Sequence, residues 1–81
     1  MNEDQKSSIR RLRQAYSAYF EHGDVFAMYA PIGLSTNKEY GIVVGVQSNK
    51  NLEKRLEKVL PTTWDDLKIV IRSYGKIVAH G

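Results

Sequence analysis

The chain predicts an α+β fold, a two-layer sandwich with its helices on one face of a three-stranded mixed sheet. Three observations carry this expectation. Two segments repeat apolar residues at helical spacing. Three others are short, β-branched or aromatic, and bounded by turn formers. One helical segment stands between two of the strands, as in a crossover unit, giving the order α-β-β-α-β over a single domain of residues 1–81.

Ile9, Leu12, Ala15, Tyr16, Tyr19 and Phe20 share one face of the first helix. Arg10, Arg13 and Gln14 take the opposite face, with Arg11 at its flank. Asp4 or Ser7 is expected to cap its start, and His22-Gly23 to end it, with Gly23 left-handed. "DVFAMYAP" and "KEYGIVVGVQS" read as strands joined by the polar loop "IGLSTNK", bent at Gly33 and Thr36-Asn37. The second helix, "NKNLEKRLEKVLP", carries the stripe Leu52, Leu56, Val59 and Leu60. Ser48 or Asn49 caps it and Pro61 ends it.

"TTWDD" is read as a loop, with Trp64 as a lid over the end of the second helix. In "LKIVIRSYGKIVAHG", Leu67, Ile69 and Ile71 alternate with Lys68, Val70 and Arg72, the period of a strand with one buried face. After Gly75, residues Lys76 to Ala79 extend that strand past a bulge or fold back as a short extra strand. A right-handed crossover would set the last strand beside the first and parallel to the second.

The formal net charge of +3 admits an acidic partner, without the dense Lys/Arg clusters of a dedicated nucleic-acid binder. With no cysteine there is no disulfide, thiolate metal site or thiol nucleophile. A charged start and the lack of any run of about 18 apolar residues lead to the expectation of a soluble, cytoplasmic protein with no membrane partner.

Catalytic, cofactor and metal sites are not expected. Gly41 and Gly45 are separated by three residues, Ile42, Val43 and Val44, which extend a strand. A phosphate loop needs four residues there and then Gly-Lys-Ser/Thr, and a dinucleotide turn needs a third glycine. Lys50 stands near the second helix's opening amides, which is an ordinary helix start. His22 and His80 have no partners at metal-ligand spacing, and Glu21, His22 and Asp24 mark a solvated helix end. Asp65-Asp66 is read as a turn rather than a carboxylate pair. No serine, histidine and aspartate arrangement declares a triad, so the chain is read as non-enzymatic.

Strand alternation assigns Tyr40, Ile42, Val44 and Val46 to the helix side, with Leu67, Ile69, Ile71, Phe26 and Met28. The other face is then expected to carry Val25, Ala27 and Tyr29, with Gly41, Val43 and Gly45, and with Lys68, Val70, Arg72 and Tyr74. Glycines amid tyrosines and an arginine make a shallow bed suited to a protein partner. The reading is a small, regulatory protein-binding module using Tyr29, Gly41, Val43, Gly45, Lys68, Val70, Arg72 and Tyr74, with a second copy in a homodimer as one such partner. The alternative is nucleic-acid binding through Arg10, Arg11 and Arg13, a short basic stripe able to touch phosphates.

"GIVVGVQS", a leucine-spaced stretch ending in Leu60-Pro61, and "LKIVIRSYGKIVAHG" with Gly75 and Ala79 form a further pattern. Over residues 41–79 it resembles the small non-catalytic α/β domain that accompanies some bacterial trypsin-like proteases. The resemblance implies an accessory or propeptide-like module and carries no protease residues.

Overall fold

The computed structural model describes residues 3–21, 23–33, 39–47 and 49–75. In chain order the elements are α1 (Glu3–Ala15), α2 (Ser17–Phe20), β1 (Val25–Pro31), β2 (Tyr40–Gln47), α3 (Lys50–Val59), β3 (Thr63–Trp64) and β4 (Leu67–Tyr74). The α+β class is as the sequence predicts. Among the described residues the sheet has four strands rather than three, in the order β1-β2-β4-β3. The proposed extra strand at 76–79 and His22 and His80 lie outside the described residues.

The first helix does not run unbroken to Phe20. Tyr16 leaves helical geometry at φ −119° and ψ 37°, and α2 restarts at Ser17. Two tertiary contacts accompany this bend, Tyr16 on Trp64 and α2 on β1, and neither is visible in local periodicity. Asp4 and Ser7 lie within α1 instead of capping it. Gly23 has no positive φ. The second helix follows its local signals more closely. Asn49 Oδ1 accepts from the Leu52 amide at 3.0 Å, and Leu60 is extended ahead of Pro61. Val59, expected in its apolar stripe, is exposed.

Gln47, at the end of β2, leads through α3 to β4, which lies parallel to β2 with Ile42 opposite Ile69 and Val44 opposite Ile71. The last strand therefore sits beside the second strand, not the first. This makes β2 the central strand, and every residue from Gly41 to Val46 is buried. A strand covered on both faces needs apolar residues at every position, which accounts for the unbroken run "GIVVGV".

The helix layer and sheet meet in one core. Ile9 and Leu12 of α1 and Leu56 and Leu60 at α3 close over Val25, Ile42, Val44 and Val46. Leu67, Ile69 and Ile71 join from β4, and Ala27 and Tyr29 from β1. The sequence assignment of β1 is thus reversed. Val25, Ala27 and Tyr29 face the helices, and Phe26 and Met28 face away. Alternation fixes which residues share a face, but both sets in "VFAMYA" are apolar, so only the pairing with β2 decides which set goes inside.

Trp64 and the residues after it form a hairpin rather than a loop. Trp64 pairs with Leu67, leaving Asp65 and Asp66 as a two-residue turn with φ 50° and 65°. Positive φ at both central residues is the type I′ requirement, met here by aspartates instead of the commoner Asn-Gly. Trp64 packs against the core cluster that includes Leu60 and also reaches α1, where its Nε1–H donates to the Ser8 carbonyl at 3.0 Å.

Candidate functional site

The predicted binding face is filled from within. Phe26 stands opposite Gly45 in the β1–β2 ladder and lays its ring over that glycine. Its other side meets Tyr74, with ring centroids 5.4 Å apart. The Ile32 side chain occupies the space above Gly41, and Val43 is 1% exposed. Lys68 is paired with Glu39 at 3.0 Å. Val70 is half-buried and Arg72 exposed. Tyr29 is on the opposite side of the sheet, stacked on Tyr40 at 5.2 Å and packed against the core. Of the residues proposed to meet there, the structure gathers all but Tyr29 on one face, but it leaves no glycine bed.

The basic stripe is divided. Arg11 is engaged by Asp65, which also accepts from Ser8 Oγ at 2.7 Å. The Ser8 hydrogen bond, then that from Arg11, holds the Asp65 carboxyl below the usual carboxylate range. This cluster ties α1 to the β3–β4 turn and serves the fold. Arg10 and Arg13 point elsewhere.

They line a groove of about 620 Å³ between α1, α2 and β1. Ile9, Phe20 and Ala27 give it a mostly apolar surface, and Met28 borders it at β1. Lys6, Arg10 and Arg13 supply its charge from α1, where steps of four and three put them on one helical face. Gln14, Ser17 and Glu21 complete it. No ion pair holds Lys6, Arg10 or Arg13 among the described residues. Like charges at this spacing oppose each other by roughly 0.2–0.5 kcal/mol per pair. Arg13, near the C-terminal end of α1, has a favourable dipole interaction to offset this; Lys6 and Arg10 stand earlier in the helix.

Among the described residues β1 is also an edge of the sheet. The Gln47 amide donates to the Asp24 carbonyl at 2.8 Å before β1 begins, and the Ile32 amide donates to the Glu39 carbonyl at 2.9 Å after it ends. Both pairs continue the register of the β1–β2 ladder. Antiparallel pairs alternate between bonded and non-bonded. Phe26, Met28 and Ala30 therefore turn their backbone groups to β2, while Val25, Ala27, Tyr29 and Pro31 turn theirs outward. Pro31 has no amide to present, so it sits where an edge strand tolerates proline.

Comparison with protein-family models, curated proteins and solved structures finds no match for the chain. The groove is not visible in the sequence because it is built from three elements whose packing periodicity does not reveal. Pro31 was the one local signal that β1 is an edge.

Proposed function

We propose that this protein is a small non-enzymatic protein-binding module, and that the groove between α1, α2 and β1 receives an acidic, amphipathic segment of its partner. One observation carries the reading: a mostly apolar groove is flanked on one helix face by Lys6, Arg10 and Arg13, which have no ion-pair partner among the described residues. Apolar side chains of the segment cover Ile9, Phe20 and Ala27, and its carboxylates meet the cations. The cations steer the encounter and set specificity; the apolar contacts supply the larger part of the affinity. The resemblance of residues 41–79 to protease-accompanying domains is consistent with a module that engages another polypeptide.

The test is a titration followed by methyl NMR, using the end-capped peptide Val-Thr-Glu-Thr-Val-Thr-Glu-Thr, whose odd positions carry valine and glutamate on one side of an extended chain. The expected result is shifts at Ile9 and Ala27, with binding weakened at least tenfold by the double change Arg10→Glu and Arg13→Glu. A peptide with lysine for glutamate should not bind. Absence of shifts with the acidic peptide overturns the reading. So does binding of single-stranded DNA or RNA at these residues with a steep salt dependence, which returns the surface to the nucleic-acid alternative.

A further inference from the structure

We infer that the partner segment docks in extended form, as a fifth strand added to the free edge of β1. This rests on the groove being the binding site, and adds the conformation and the hydrogen-bonding partners of the ligand. The groove and the edge are independent observations that coincide at Ala27, whose side chain lines the groove and whose amide and carbonyl point out of the sheet. Ala27 and Tyr29 each present an amide and a carbonyl, and Pro31 a carbonyl alone. An added strand lies about 4.8 Å from β1, beneath the overhanging side chains of α1 and α2. Main-chain bonds to Ala27 and Tyr29 then give affinity, and the side chains on the helix-facing side of the segment, apolar and acidic in turn, reach the apolar lining and the cations. Pro31 ends donor pairing at one end of the strand, which limits where the segment can slide.

A second copy of the chain is the obvious competitor for an exposed edge. Antiparallel pairing of β1 with another β1 would place both helix layers on the same side of the joined sheet. Lys6, Arg10 and Arg13 of each copy would then face the same groove region, which like charges oppose. Charge complementarity selects an acidic segment instead.

Two N-methylated forms of that peptide test the inference, one methylated at the odd positions and one at the even positions. In a strand the amides of alternate residues point to opposite sides, so one set faces β1 and the other faces solvent. The expected result is that one form loses binding more than tenfold while the other binds within about threefold of the parent. Equal losses, or no loss in either form, overturn the added strand and leave the groove reading standing. If the unmodified peptide fails to bind, the groove reading falls and this inference with it. A protein that is dimeric by light scattering, and monomeric after Ala27→Pro with its melting point retained, assigns the edge to a second copy and also overturns the inference.

Discussion

A Cβ built on Gly45 would lie 2.2 Å from Cζ of Phe26, its cross-strand partner. The ring thus rests on the backbone of the central strand and fills the space that a side chain at 45 would take. Gly41 is crowded differently, with a Cβ position 2.6 Å from the Lys68 carbonyl oxygen and 2.8 Å from Ile32 Cδ1. Gly45→Ala should destabilise the fold by about 1–3 kcal/mol, because only a side chain must move. Gly41→Ala should cost more, because a β4 backbone carbonyl must shift. Chemical denaturation orders the two, and a milder effect at Gly41 would show that the β2–β4 contact yields more easily than a phenyl ring.

The Asp65-Asp66 turn makes a second prediction. Both residues are left-handed, a region aspartate enters more readily than most residues and glycine freely. Asp66→Gly should leave stability within about 0.5 kcal/mol, since the loss of strain offsets the greater freedom of the unfolded chain. Asp66→Val should destabilise by about 1–2 kcal/mol through the clash of a β-branched side chain at positive φ. Equal melting points for the two variants would argue against a type I′ hairpin here.

Acid should weaken the tie between α1 and that hairpin. Hydrogen bonds from Ser8 and Arg11 lower the folded-state pKa of Asp65. Their contribution is therefore complete above the unfolded carboxylate pKa and is lost as pH falls through the folded one. The melting-point gap between the wild type and Asp65→Asn should be widest near neutrality and narrow below about pH 4, the unperturbed aspartate range. The Arg11 part should also shrink with salt, because both side chains are partly exposed. A gap that stays constant across the acid range would assign the effect to the turn backbone instead.

Proline scanning checks the direction of the β1 edge without reference to any ligand. Met28→Pro removes a bond to β2 and should cost about 3 kcal/mol or more. Ala27→Pro removes only an outward-facing amide and should cost well under that. Reversed melting points would mean that Ala27, not Met28, bonds to β2.

The sequence by itself determined the second helix and the three long strands. Spacing of Leu52, Leu56 and Leu60 made a helix, Asn49 and Pro61 bounded it, and alternation of Leu67, Ile69 and Ile71 set the buried side of β4. These are local properties, fixed by backbone geometry within a few residues. Tertiary structure decided the rest. It chose which apolar set of β1 turns inward, placed β4 against β2, bent the first helix at Tyr16, and covered Gly41 and Gly45 with Ile32 and Phe26. It also divided the arginines, giving Arg11 to Asp65, 54 residues away, and leaving Arg10 and Arg13 at the groove. The physical reason is the same in each case. A period of two or of 3.6 states which residues share a face, but a face that is apolar on both sides, or a cation with several carboxylates within reach, has its partner chosen only when distant segments pack.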